Sequence, residues 1–380
     1  MTEHPAARSL RVLWLTKGLG PGGAERLLVT HAALAGDGFD YEAAYLLPWK
    51  DHLVADLEAL GVPTHCLAGG READVRWATR LRRLLLQRDV DVLHAHSPYP
   101  AALARVVARS VPRSARPALV YTEHNRWQSH NRLTRAANRF TYRFDDAHLA
   151  VSHDVRDSIA PRWRSQVEVV VHGVDVDAVR RVGSERAAAR SELGVAEDEV
   201  LVGTVAHLRA TKGYLDLLEA ARIVTSADPA ARFVAVGHGP MTDQVQERAR
   251  QLGLGDRFRL LGYRSDALRV VAALDVFVLA SHHEGRPVAL MEAMALGRPA
   301  VTTAVGDMPV LLDHGASGVI VPPGEPAALA AAVLELTGDE TRRAALGAAA
   351  ARRADAFGAR GAVAEIERVY RRVARREHSS

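Results

Sequence analysis

Short apolar runs, many of them β-branched, alternate along the chain with longer stretches rich in Ala, Leu and Arg whose apolar positions recur at helical spacing. An apolar run too short for a helix predicts a strand buried on both faces, and strands alternating with helices predict parallel sheets covered on either side. In the first half of the chain the runs fall at residues 11–16, 41–47, 91–96, 118–124, 147–152 and 167–173. In the second half they fall at 200–207, 232–237, 257–262, 275–281, 299–303 and 318–322. The fold class is therefore α/β. Between the two sets lies a polar stretch, VDAVRRVGSERAAARSELGVAEDE, that predicts a linker at 176–198. It separates a first domain at 1–175 from a second at 199–357, with a closing helix at 358–380.

A chain of 380 residues exceeds what one hydrophobic core usually supports, which agrees with two Rossmann-like domains. The formal charge of +4 is too small to imply nucleic-acid binding, yet it permits an anionic ligand. The single cysteine, Cys66, excludes an internal disulfide and a thiolate metal site, and fits a reducing, cytoplasmic compartment. The apolar run near the start is too short for a signal segment or a membrane span, so any membrane contact is expected to be peripheral.

In open parallel sheets ligands gather beyond the carboxyl ends of the strands, and the unusual residues of this chain follow its predicted strands. After the first comes KGLGPGGAER, whose Gly18, Gly20, Gly22 and Gly23 allow a phosphate or sugar to approach the backbone before a helix that starts near Ala24. Gly18, Gly20 and Gly23 match the dinucleotide fingerprint, but the second strand ends Leu46, Leu47, Pro48, with no carboxylate for a ribose. That counts against a nicotinamide enzyme, and a tight turn without ligand stays open.

A second signal is SHHEGRPVALMEAMALGRP, with Glu284 in a loop and Glu292 in a helix predicted to begin at Pro287. The first backbone N–H groups there, at Arg286, Val288 and Ala289, could hold a phosphate, whereas two carboxylates at this spacing also suit a solvated surface. Two Asp-x-Asp strings, Asp89 with Asp91 and Asp175 with Asp177, sit at the amino end of a strand and in the interdomain crossing, so no metal site is expected. Arginines interleave with apolar residues at 75–89 and 126–143, a pattern of solvated helix faces that also suits contact with an anionic membrane.

The stretch 275–322 resembles the donor-site signature of the retaining GT-B glycosyltransferases of family four. The resemblance extends through PGGAE at 21–25, HAHS at 94–97, TEHN at 122–125, VSH at 151–153, HGVD at 172–175, LRATKG at 208–213, VGHGP at 236–240 and LGY at 261–263. It implies two Rossmann-like domains facing each other across a cleft, the first for the acceptor and the second for the donor, with the last helix returning to the first. Glu284 would face the donor sugar, the backbone of Gly285, Arg286, Pro287 and Val288 would line sugar and phosphates, and Glu292 would hold the ribose. Lys212, helped by Arg209, would pair with the diphosphate, and Tyr263 belongs to the same donor set. Gly22 and Gly23 would close over the diphosphate, and His124 would face the anomeric centre. His94 reads as a packed strand histidine, and His96 as either packed or functional.

The family's front-face mechanism lets the leaving phosphate accept the acceptor's proton, which leaves catalysis to His124, Glu284 and Lys212 without nucleophile, metal or cofactor. The resemblance implies a UDP- or GDP-sugar donor and a hydroxyl acceptor, lipid-linked or saccharide, in the synthesis of cell-surface polysaccharide, glycolipid or secondary-metabolite glycosides. An epimerase or phosphorylase on the same fold, or a silent nucleotide-sugar-binding protein, is the alternative. The chain departs from the family pattern at His207, where an arginine is common, at His172 before Gly173, and at Asp307 after Gly306.

Overall fold

The computed structural model describes residues 8–20, 22–68 and 74–377, so Pro21 of the glycine turn lies outside the described residues. Among them the chain divides into two compact units. One runs to His172 and includes the final helix from Ala359; the other is Gly173–Gly358.

The first unit holds seven strands: β1 Leu10–Thr16, β2 Phe39–Tyr45, β3 Thr64–Cys66, β4 Val92–Ala95, β5 Ala118–Glu123, β6 Ala147–Ala150 and β7 Val167–Val169. They pair in parallel in the order β3-β2-β1-β4-β5-β6-β7. Side chains alternate across β1. Val12 and Trp14 face one layer, where Ile366, Val369 and Tyr370 of the final helix pack, while Leu13 and Leu15 face the other, against Leu81, Leu85 and Val107. That two-sided burial is what the unbroken apolar runs encode. Strand β3 escapes the pattern because Thr64–Cys66 is a short, half-exposed edge strand without an apolar run.

The second unit holds β8 Val200–Val205, β9 Ala231–Val236, β10 Phe258–Leu260, β11 Val276–Leu279, β12 Ala300–Thr303 and β13 Val319–Val321. Their order is β10-β9-β8-β11-β12-β13, again all parallel. Leu201, Phe277 and Leu279 pack on one face, and Val202, Val276 and Val278 on the other.

The linker expected at 176–198 is corrected by the structure. Val176–Val182 and Arg186–Glu192 are helices, and Val176, Val179, Ala189 and Leu193 are buried in the core of the second unit. The segment looks polar because its arginines have internal partners: Arg186 and Arg190 clamp the two oxygens of Asp275 at 2.5 and 2.7 Å, just ahead of β11. The second unit therefore begins at Gly173, not at 199, and the helix Ala359–Glu377 belongs to the first unit.

Candidate functional site

In the second unit the loops that follow β8, β11 and β12 meet at one end of the sheet, where those three strands are neighbours. The loop after β8 is anchored by the Tyr214 hydroxyl, which donates to the Ala206 carbonyl at 2.7 Å, and ends at Gly213 with φ +63°. A side chain at Gly213 would overlap the Ala280 carbonyl, so glycine there lets the loop press against the end of β11. The N–H groups of His282 and His283 donate to the Thr211 carbonyl at 2.9 and 3.2 Å and join the two loops.

This close approach brings Lys212 onto Glu284, with Nζ 2.5 Å from Oε1. The buried Ser281 hydroxyl donates to the same oxygen at 2.9 Å, and Thr303 at the end of β12 donates to the Ser281 carbonyl at 2.6 Å. Neither hydroxyl was singled out by the sequence reading; the only local signal is a small hydroxyl residue at the end of two adjacent strands. Among the described residues these contacts engage one ammonium hydrogen of Lys212 and Oε1 of Glu284.

The loop after β12 supplies the third wall. Gly306 has φ +56°, and a side chain on it would overlap the Glu284 carbonyl. Asp307, one of the departures from the family pattern, donates its N–H to the Gly285 carbonyl at 2.9 Å and accepts from Arg286 at 3.2 Å. The departure thus holds the Arg286 side chain. Burial pulls the Arg286 pKa down and the Asp307 carboxylate opposes the shift.

The helix after Glu284 is Val288–Ala295. Pro287 caps it rather than opening its first turn, a correction of one residue, because its ψ of 116° is extended. Glu292 lies half-buried on this helix, Arg209 is exposed just before the turn Ala210–Lys212, and Tyr263 is exposed beyond β10 with its ring edge-on to His238. His207 lies 2.9 Å from the His238 carbonyl through Nδ1. Burial lowers its pKa, so it does not supply the permanent charge an arginine would.

In the first unit Gly22 caps the helix Gly23–Ala33, with the Glu25 carboxylate folded against it. Burial raises the Glu25 pKa. At the ends of β4 and β5, His96 Nδ1 lies 3.3 Å from His124 Nε2, and the His124 ring stacks on His172 at 5.7 Å. His94 is fully buried, as a packed strand histidine should be. Burial lowers the pKa of His94 and His96 well below the ordinary imidazole range and takes His124 to about 3, with His172 adding to the His124 shift. Burial therefore favours the neutral form of His124.

The Asp-x-Asp strings have structural duties. Asp89 closes a helix in the left-handed conformation, Asp91 accepts from Arg8 and from the Arg11 N–H, and Asp175 caps the helix Val176–Val182. Of the basic segments, the helix Trp77–Arg88 buries Trp77, Leu81 and Leu85, whereas Arg132–Thr141 leaves Leu133 81% and Phe140 74% exposed. No described helix is long and apolar enough to cross a membrane.

Residues 185–353 match the family model of glycosyl transferases group 1, and residues 21–178 match that of glycosyltransferase family 4. The chain is 27% identical over 282 residues to N-acetyl-alpha-D-glucosaminyl L-malate synthase of Bacillus anthracis, with 70% of each chain covered. It is 26% identical over 288 residues to UDP-Gal:alpha-D-GlcNAc-diphosphoundecaprenol alpha-1,3-galactosyltransferase of Escherichia coli, with 72% of this chain and 73% of that one covered. Anabaena HepE, solved in complex with UDP-glucose, has a similar fold, with a TM-score of 0.80 at 22% identity over 98% of this chain and 100% of that one. Two family models spanning most of the length, on two parallel Rossmann-like sheets of a fold already seen in solved relatives, place this chain among the GT-B glycosyltransferases of group 1, of the family-four type, which use nucleotide sugars.

Proposed function

We propose that this glycosyltransferase is a retaining, metal-independent hexosyltransferase that moves a sugar from a UDP- or GDP-sugar to a hydroxyl acceptor. The observation that carries the reading is the Lys212–Glu284 contact at 2.5 Å. A cation suited to a diphosphate and a carboxylate suited to sugar hydroxyls adjoin, as the two halves of a nucleotide sugar's phosphate-to-sugar linkage do. In this reading Lys212 and Arg209 stabilise the leaving diphosphate as charge gathers on it, with Gly22 and Gly23 contributing backbone to it. Glu284 and the backbone of Gly285, Arg286, Pro287 and Val288 orient the sugar, Glu292 binds the ribose, and Tyr263 completes the donor set. Neutral His124 donates to the sugar, and the leaving phosphate takes the acceptor's proton.

The Escherichia coli relative's name specifies a lipid-linked diphosphate acceptor and a UDP-galactose donor. We extend from it an acceptor that is lipid-linked or saccharide, in cell-surface polysaccharide, glycolipid or glycoside synthesis at the cytoplasmic side of a membrane. Leu133 and Phe140, flanked by Arg132, Arg135, Arg139 and Arg143, supply apolar and cationic contact to an anionic bilayer. Replacing Leu133 and Phe140 together by aspartate is expected to abolish co-sedimentation with phosphatidylglycerol vesicles; unchanged pelleting would remove the membrane from the account.

A thermal-shift panel of UDP-, GDP- and ADP-sugars identifies the donor, because a ligand that binds only the folded state raises the melting temperature. The selected donor should yield nucleoside diphosphate only with an acceptor, and a product with the donor's anomeric configuration. Epimer formation without acceptor, or sugar phosphate with inorganic phosphate, would contradict transfer.

A further inference from the structure

We infer that Tyr370, on the helix Ala359–Glu377, is a positioning residue for His124 and acts through His94 and His96. The inference rests on the reading that His124 acts at the transferred sugar. Tyr370 and Trp14 are fully buried, and the Trp14 indole N–H donates to the Tyr370 oxygen at 3.2 Å. Among the described residues the only acceptor at the Tyr370 hydroxyl is His94 Nδ1, at 2.5 Å, so its own hydrogen goes there. His94 then carries its proton on Nε2 and donates it to the Thr122 hydroxyl at 2.7 Å. With both nitrogens engaged, the ring has one orientation.

That ring lies 3.9 Å from the ring of His96, centroid to centroid, and limits where His96 can sit. His96 Nε2 is buried and has no hydrogen-bond partner among the described residues, while Nδ1 faces His124 Nε2 at 3.3 Å. An N–H buried without an acceptor is the rarer orphan, so His96 keeps its proton on Nδ1 and donates to His124. His124 consequently carries its proton on Nδ1. The last helix, which returns to the first unit from the far end of the sequence, thus fixes which nitrogen of His124 can donate. Glu367, one turn earlier on that helix, anchors it by accepting from the Gly36 N–H and the Tyr41 hydroxyl at 2.8 and 3.1 Å.

The test is a double-mutant cycle in the full-length chain with Tyr370→Phe and His124→Ala. Tyr370→Phe is expected to lower kcat about fivefold to tenfold, with donor KM within about twofold, through a misplaced hydrogen bond at the sugar. In the His124→Ala background it should change kcat no further. Nitrogen-15 spectra of the wild-type imidazoles should show protonated Nδ1 on His96 and His124, and mixed tautomers in Tyr370→Phe. Equal loss of kcat in both backgrounds, or unchanged kcat and imidazole spectra in Tyr370→Phe, would overturn the proposal alone. Wild-type turnover in His124→Ala would instead overturn the reading of His124 on which it depends. Should Tyr370→Phe not fold, the isosteric Thr122→Val, which removes the acceptor of His94, is held to the same criteria.

Discussion

Lys212→Ala and Glu284→Ala are each expected to cut turnover by more than about tenfold, a loss of at least about 1.4 kcal/mol of transition-state stabilisation. Neither side chain belongs to the apolar layers of the second unit, so both variants should retain a cooperative unfolding transition. Their effects should differ in kind. On the proposed reading Lys212 faces charge that grows as the phosphate leaves, so its removal is expected to lower kcat more than it raises KM. On the same reading Glu284 holds hydroxyls that are present before and during the reaction, so its loss should raise donor KM as well. Steady-state kinetics over a range of donor concentration measure both, and undiminished activity in both variants would remove the site assignment.

Stability of the first unit is expected to fall steeply on mild acidification. Burial lowers the pKa of His31, His94, His96 and His124, to about 3 for His31 and His124. Each is neutral in the fold but takes up a proton near pH 6.5 once unfolded, so unfolding binds protons in the window between the two values. The stability is present above pH 6.5 and is lost as pH drops below it. His31 and His124, with pKa values of about 3, each remove up to about 1.4 kcal/mol between pH 7.5 and 5.5, and His94 and His96 act in the same direction. Urea titrations at the two pH values measure the difference; equal midpoints would mean the cluster is solvated.

The strand pattern was legible because sheets covered on both faces need continuous apolar runs, and β1 with Val12, Trp14, Leu13 and Leu15 divided between two layers shows the requirement. Edge strand β3, at Thr64–Cys66, carries no such demand and left no signal. Residues 176–198 misled for a different reason. Arg186 and Arg190 add to the polar look of the stretch until the fold brings Asp275 to them, and no local pattern announces a partner that distant.

The same distinction runs through the site. Glu284 and Lys212 were legible by resemblance, but their direct contact spans 72 positions of sequence and required the glycine-tightened loops at Gly213 and Gly306. Ser281, which holds Glu284, Thr303, which holds the Ser281 carbonyl, and Tyr370, which holds His94, are single hydroxyls whose importance comes only from what they face. Asp307 and His207 were visible as departures from the family, and the structure gives each a hydrogen bond inside the second unit.

The central claim is that Lys212, Glu284 and Glu292 hold a sugar diphosphate. A crystal structure of the chain with the donor selected by the thermal-shift panel tests it most directly. The account predicts a diphosphate oxygen within hydrogen-bonding distance of Lys212 Nζ, sugar hydroxyls on Glu284 and ribose hydroxyls on Glu292. A donor bound with its phosphates on other residues, and its sugar away from Glu284, would contradict it.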